Sequence, residues 1–323
     1  MEVMVTGRLP EEVLALLKKA HRVEVNPEDR PMAREWLLQR IVEKEGLLCM
    51  VTDRVDAELL QRAPRLKMIA NLGVGYDNID LGAATLAHIP VSNTPGVLTA
   101  ATADIAFTLI LAVARRVVEG DKRTRAGEFR FWAPLVFLGR EVSGKTLGII
   151  GLGRIGRAVA KRARGFDMQV LYFNRHRLTP DEEKALGVEF ADLPALLSRA
   201  DFVSLHVPLT RETRHLINRE TLGWMKPDAL LINTSRGPVV DEQALLEALR
   251  DGTISGAGLD VYEREPDLTA GLIDLDNVVL LPHVGSATLE TRTQMGQLAA
   301  QNLLAGLRGE RPPNCLNWED LHK

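Results

Sequence analysis

Thr146-Leu147-Gly148-Ile149-Ile150-Gly151-Leu152-Gly153-Arg154-Ile155-Gly156 is the stretch on which the reading of this chain turns. A short apolar run passes into glycines spaced G-x-G-x-x-G, and residues 157–164 continue with helical periodicity. Strand, tight turn and helix in that order open a dinucleotide-binding βαβ unit. The first two glycines permit the turn and a close backbone approach to a pyrophosphate, and the third lets the helix pack on the strand. The helix N-terminus then offers N–H groups that have no intrahelical partner. Gly151, Gly153, Arg154, Ile155 and Gly156 are therefore the predicted pyrophosphate site.

Downstream, Val170-Leu171-Tyr172-Phe173, Phe202-Val203-Ser204-Leu205, Leu230-Leu231-Ile232 and Val278-Val279-Leu280-Leu281 are further apolar runs. Their spacing is that of a parallel sheet with helical crossovers. Upstream lies a second series: a first strand near Met1-Glu2-Val3-Met4-Val5, then Leu47-Leu48-Cys49-Met50-Val51, Leu66-Lys67-Met68-Ile69-Ala70 and Ile89-Pro90-Val91. Two α/β units thus share one chain. Residues 100–118 form a long apolar helix candidate between them, and residues 291–307 form another, which returns to the first unit. The expected fold is α/β: two Rossmann-like or flavodoxin-like doubly wound domains with a cleft between them. A discontinuous substrate-binding domain takes residues 1–98 plus 285–323, and a dinucleotide-binding domain takes 99–284.

Bulk properties narrow the function. A chain of 323 residues, 46% hydrophobic and 26% charged, buries sizeable cores. A net charge of -3 and a pI near 6.2 give no broad basic field for a phosphate backbone, so no nucleic-acid partner is expected. Cys49 and Cys315 stand far apart, which is neither a disulfide framework nor a metal cluster; no metal site is expected, and a reducing cytoplasm fits. The N-terminus lacks the basic and apolar regions of a signal peptide, and the most apolar stretch, residues 105–114, is about half of what spans a bilayer. No membrane partner is expected.

Cofactor choice is written at the end of the strand after the fingerprint, where an NAD site offers Asp or Glu about 20 residues on. Here the sequence is Asn174-Arg175-His176-Arg177. No carboxylate stands there, and cations pair with the 2′-phosphate of NADP. NADP(H) is the preferred reading and NAD(H) remains possible, the alternative being an exposed strand end with ordinary surface charges.

Near the ends of later strands lie Asn233-Thr234-Ser235-Arg236-Gly237, Glu263-Arg264-Glu265-Pro266 and Pro282-His283-Val284-Gly285-Ser286-Ala287-Thr288. Open α/β sheets place their ligand crevice there. With these segments, Gly73-Val74-Gly75-Tyr76-Asp77-Asn78-Ile79-Asp80, Gly258-Leu259-Asp260-Val261 and residues 302–310, the chain resembles, nearly end to end, the D-isomer-specific 2-hydroxyacid dehydrogenases, and within them the glyoxylate/hydroxypyruvate reductases. The resemblance implies that Arg236, Glu265 and His283 are the catalytic residues. Arg236 would pair with a substrate carboxylate and polarise the adjacent carbonyl, His283 would protonate the carbonyl oxygen as hydride arrives at carbon, and Glu265 would stabilise and orient the imidazolium. Val74 and Gly75 would cradle the substrate carboxylate from the other domain. Thr102, Thr234, Ser235, Asp260 and Gly285 would line the cofactor, Asp260 approaching the nicotinamide amide unless it simply caps a strand.

The activity so implied is reduction of small 2-keto acids, glyoxylate to glycolate and hydroxypyruvate to D-glycerate, by a cytoplasmic homodimer. Trp132 lies in a segment that the family uses for dimer contacts. The chain ends soon after its closing helix, leaving no room for the regulatory domain of many phosphoglycerate dehydrogenases. It has Glu265 where formate dehydrogenases of this fold have Gln, and it lacks the loop lysine of phosphite dehydrogenases. A nucleotide-sensing corepressor shares the fold and the trio, and it stands as the reading from a different class.

Overall fold

The computed structural model describes residues 1–322. Two units divide it: Met1–Leu98 with Ala287–Lys323, and Thr99–Ser286. The return crossing falls after Ser286, two residues later than the sequence suggests, because Asp260 of the second unit holds the amides of Val284 and Gly285.

The first unit carries strands β1 (Glu2–Val5), β2 (Arg22–Val25), β3 (Gly46–Met50), β4 (Met68–Leu72) and β5 (Val91–Ser92). They pair in the order β2-β1-β3-β4-β5, all parallel. The central strands β3 and β4 are buried almost throughout, which is why they read as apolar runs, broken only by Asn71 on β4. Strand β2, at the edge with sequence Arg-Val-Glu-Val, gives no such run and escaped the sequence reading. Helix Leu289–Leu307 packs on β4 and β3. The C-terminal segment then returns along β5: Ser92 bridges Cys315, and Leu316 N–H donates to Val91 O at 2.7 Å.

The second unit carries β6 (Thr146–Ile150), β7 (Gln169–Phe173), β8 (Glu189–Phe190), β9 (Phe202–Leu205), β10 (Leu230–Asn233), β11 (Gly256–Leu259) and β12 (Val278–Leu280). Their order is β12-β11-β10-β9-β6-β7-β8, again all parallel. The strand order reverses at β6, whose neighbours are β7 and β9, and such a switch point opens a crevice beyond the carboxyl ends of the strands. Helix Thr99–Ala114 covers β10, β11 and β12 from one side.

The single helix expected over residues 100–118 is two. The first stops at Ala114, Arg116 takes a left-handed conformation (φ 52°), and a second helix runs Val117–Arg125. The break is held by specific partners. Arg140 N–H donates to Ala114 O at 2.7 Å, while the Arg116 guanidinium forms two bonds to Glu119 (2.8 and 2.7 Å) and lies 4.2 Å from the Phe137 ring centre. No helix among the described residues is long and apolar enough to cross a membrane.

Beyond the carboxyl edge of this sheet, the loops after β10 and β11 touch backbone to backbone. A Cβ built on Gly237 would lie 1.8 Å from the carbonyl carbon of Tyr262 and 2.4 Å from the Glu263 nitrogen. Only hydrogen fits. Gly237→Ala is expected to lower unfolding stability by about 3 kcal/mol or more, since rigid backbone must move. Urea denaturation checks this, and a midpoint equal to the wild type would show that the two loops are not locked together.

Candidate functional site

Strand β6 delivers the chain into Gly151, whose φ is 98° and whose Cβ would sit 2.7 Å from the His206 carbonyl carbon. The protein itself demands glycine at this point. Gly153 differs: it caps helix Arg154–Ala163 without a side-chain cap, and a Cβ there would meet nothing within 4 Å. The space beside it adjoins first-turn amides of a ten-residue helix, a cradle suited to a pyrophosphate. Asn174, at the end of β7, fixes the turn by accepting the Leu152 N–H at 2.7 Å.

Arg175, His176 and Arg177 follow and are exposed. Arg177 is already bound to Glu183 through two bonds (2.8 and 3.0 Å), and with the Tyr172 hydroxyl it pulls that carboxyl down to about 2. The strand-end cations are therefore not equivalent: Arg177 is paired with Glu183 of the helix that follows, Pro180–Leu186. Across the switch point, burial pushes the His206 imidazole down to about 4, so it is neutral, and its Nε2 lies 2.8 Å from Ser204 Oγ. Thr234, just past β10, has a buried hydroxyl without a hydrogen-bond partner, the sort of atom a bound ligand satisfies. Thr102 is buried, and its side chain would come within 3.4 Å of a Cβ on Gly285. These features fit a dinucleotide.

The presentation of Arg236 begins with Asn233. Its Oδ1 accepts the Ser235 N–H (3.0 Å) and the Ser235 hydroxyl (2.8 Å), forming an Asx turn, while its Nδ2 donates to Arg236 O at 2.9 Å. Arg236 Nη1 donates to Ser235 O at 2.9 Å. Gly237 then passes beneath Tyr262, bringing Arg236 to the loop that carries Glu265.

Glu265 faces two donors. Oε1 accepts the Tyr262 N–H at 3.0 Å, and Oε2 lies 2.8 Å from His283 Nδ1. Burial opposes ionisation of Glu265, but the His283 hydrogen bond and charge, the Tyr262 amide and the Arg236 charge prevail and hold its carboxyl below the ordinary range. An ionised carboxylate only accepts, so His283 Nδ1 carries the hydrogen and Nε2 is the nitrogen left for chemistry. His283 itself sits at φ 54°, a strained backbone for a non-glycine residue. Asp260 explains how it is kept there: its two oxygens accept the Val284 and Gly285 amides at 2.7 Å each, and the residue is 1% exposed. The Tyr262 hydroxyl adds a 2.8 Å bond to Leu281 O, closing the loop after β11 against the end of β12.

Several contributors escaped the sequence reading. Glu242 is buried; it accepts the Glu263 N–H at Oε1 and the Thr269 hydroxyl at Oε2 (2.7 Å). His215 Nε2 lies 2.7 Å from Glu263 Oε1. The loop holding Glu265 is therefore anchored from behind by a second histidine–glutamate pair. The signal was faint: Glu242 follows the N-cap Asp241 and reads as an ordinary first-turn acid. Val74 and Gly75 belong to the first unit, directly after β4. Among the described residues no three His, Cys, Asp or Glu side chains gather as a metal site.

Comparisons with known proteins agree with this geometry. The sequence model for the D-isomer specific 2-hydroxyacid dehydrogenase NAD binding domain matches residues 107–285. A glyoxylate reductase from Thermococcus litoralis is 52% identical over 324 aligned positions, covering 99% of this chain and 98% of that one. The crystal structure of a protein from Thermus thermophilus superposes with a TM-score of 0.91 at 48% identity, covering 98% of this chain and 100% of that one. The NADPH-dependent glyoxylate/hydroxypyruvate reductase of Sinorhizobium meliloti, in complex with NADP and malonate, gives a TM-score of 0.84 at 32% identity over 98% of this chain and 96% of its own. Likeness at this level along the whole sequence decides the assignment: the chain belongs to the D-isomer-specific 2-hydroxyacid dehydrogenase family and is an oxidoreductase.

Proposed function

We propose that this enzyme reduces small 2-keto acids, glyoxylate to glycolate and hydroxypyruvate to D-glycerate, with NADPH preferred over NADH. The observation that carries the reading is the 2.8 Å His283–Glu265 pair, set beside Arg236 by the backbone contact at Gly237. The names of the relatives, glyoxylate reductases among them, support the substrate class.

When bound, the reduced nicotinamide supplies a hydride to the carbonyl carbon. The chain supplies the rest. Arg236 binds the carboxylate and draws electron density toward the carbonyl oxygen. His283 Nε2 gives its proton to that oxygen, so carbonyl, hydride and proton become the alcohol, primary in glycolate and secondary in D-glycerate. Glu265 balances the charge of the imidazolium before the transfer and holds the ring by Nδ1 throughout. Val74 and Gly75 are assigned as further donors to the substrate carboxylate. The unit Met1–Leu98 with Ala287–Lys323 is accordingly assigned as the substrate-binding domain and Thr99–Ser286 as the dinucleotide-binding domain.

His283→Ala is expected to cut kcat at least about a hundredfold with little change in NADPH affinity, and near-normal turnover would remove His283 from the mechanism. The sign of the pH dependence follows from Glu265. Its carboxyl is held below the ordinary value, so the pair's contribution is present above the unfolded-state pKa and is lost as pH falls through the lowered folded value. In Glu265→Gln that acid-side loss of stability should disappear, and a pH–stability profile that superposes on the wild type would count against the pair.

For the cofactor, Arg175→Ala should lower kcat/KM with NADPH about tenfold while changing the value with NADH by less than about twofold, as expected for a lost charge-assisted bond to a 2′-phosphate. Equal losses with both cofactors would make Arg175 an ordinary surface charge.

A second copy of the chain is the proposed occupant of the segment after helix Val117–Arg125. Within ten residues it exposes Phe129, Phe131, Trp132, Leu135, Val136 and Leu138, between 50% and 84% of their surface. An apolar patch of this density marks an interface. Light scattering should give a dimer mass, falling to the monomer in Leu135→Asp; a monomeric wild type would rule the homodimer out.

A further inference from the structure

The loop after β4 is shaped by side-chain amides. Each of its carbonyl oxygens has a donor: Gly73 O accepts the Thr94 N–H (2.9 Å), Val74 O accepts Asn93 Nδ2 (2.7 Å), and Gly75 O accepts Asn71 Nδ2 (2.8 Å). A trans peptide points its C=O and the following N–H in opposite directions. Holding the carbonyls of residues 73, 74 and 75 therefore turns the N–H groups of Val74, Gly75 and Tyr76 the other way. The Gly73 N–H is bound to Asn71 O (3.0 Å), whereas those of Val74 and Gly75 donate to no acceptor among the described residues. The result is a pair of adjacent amides without an acceptor, a form that suits a carboxylate.

The holding residues are themselves held. Asn71 is fully buried on β4, and its Oδ1 accepts Asn78 Nδ2 at 3.2 Å. Asn93 is gripped through its backbone: Asn302, buried on helix Leu289–Leu307, donates Nδ2 to Asn93 O (3.1 Å) and accepts the Asn314 N–H (3.0 Å). Asn93 N–H reaches Asn314 O at 3.4 Å. The C-terminal segment and the long helix thus fix the residue that fixes the Val74 peptide.

We propose that Asn93 and Asn71 are positioning residues for substrate recognition, setting the peptide planes of residues 73–75 so that the N–H groups of Val74 and Gly75 receive the substrate carboxylate. The inference rests on the assignment of Val74 and Gly75 to substrate binding. Asn93 is the better probe, because its side chain approaches the loop at one atom, whereas Asn71 also serves Asn78.

The test measures Asn93→Leu, which removes the donor at similar volume and adds no charge, beside Asn93→Gln, which keeps an amide donor. In steady state with NADPH, Asn93→Leu should raise KM for glyoxylate and the inhibition constant of oxamate, a stable keto-acid analogue, each about tenfold, with kcat changed by less than about threefold and NADPH affinity unchanged. Asn93→Gln should recover a substantial part of both. A merely structural role would instead lower active protein and melting temperature while leaving KM and the oxamate constant alone, and that result overturns the proposal. Should Asn93→Leu fail to fold, Asn93→Ala, which leaves a void in place of a clash, reads the same quantities. Failure of the functional assignment is separable: it appears as a wild-type enzyme without keto-acid turnover, whereas failure of this inference appears as an active wild type and a folded variant with unaltered constants.

Discussion

A buried carboxylate accepting two consecutive backbone amides holds the working end of the second unit together. Parallel strands β11 and β12 share ladder bonds only as far as their ends, and the loops beyond them have no reason of their own to stay in register. Asp260 supplies one, with 2.7 Å bonds to the amides of Val284 and Gly285. Burial pushes its carboxyl upward and the two amides oppose that rise, so the site is costly to form and rigid once formed. That rigidity keeps His283 in a left-handed backbone and aims its ring at Glu265. Without Asp260, the His283–Glu265 bond would have to carry the backbone strain alone.

The same end of the sheet shows why a glycine and a tyrosine matter as much as the charged trio. Gly237 lets the Arg236 loop lie against the Tyr262 backbone, and Tyr262 then reaches two ways, by its amide to Glu265 and by its hydroxyl to Leu281 O. Arginine, glutamate and histidine come from three separate loops, after β10, β11 and β12, yet one shared backbone contact and one aromatic side chain fix their relative heights. Catalytic groups set on the ends of neighbouring strands inherit the precision of the sheet, provided the loops between are cross-linked in this way.

What the sequence shows and what it hides follow from where each signal originates. Strands β6, β7, β9, β10 and β12 announce themselves because most of their residues are buried and their runs are predominantly apolar. Strand β11, Gly256-Ala257-Gly258-Leu259, does not, since helix Thr99–Ala114 lies so close that a Cβ on Gly258 would fall 2.9 Å from Leu109 Cβ; packing has removed the residues that would have marked a strand. The edge strands β2 and β8 are short and half polar. The helix break at Arg116 has no glycine or proline to signal it and depends on Glu119, Phe137 and Arg140, partners that only the fold assembles. The site divides likewise. Glycine spacing and the order Arg236, Glu265, His283 are local and legible, but the loss of Arg177 to Glu183 and the grip of Asp260 on residue 284 are tertiary facts.

A contrast in chemistry separates the loops of the two units. In the second unit the groups are ionisable and paired with acids: Glu265 with His283, and Glu263 with His215 and Arg214. In the first unit the loop of residues 73–75 is shaped wholly by neutral amides. A lysine in the place of Asn93 would put a mobile cation beside the N–H groups of Val74 and Gly75 and attract any anion, with no regard for orientation. Asparagine has two donors on a short, rigid side chain, and it orients a peptide without adding a field of its own. A carboxylate bound there, as proposed, would be met by dipoles whose direction is fixed before it arrives, and fixed dipoles need no reorganisation at the moment of binding. Burial of the supporting asparagines is tolerated because each pairs with backbone or with another amide, from Asn71 on the strand to Asn302 on the helix.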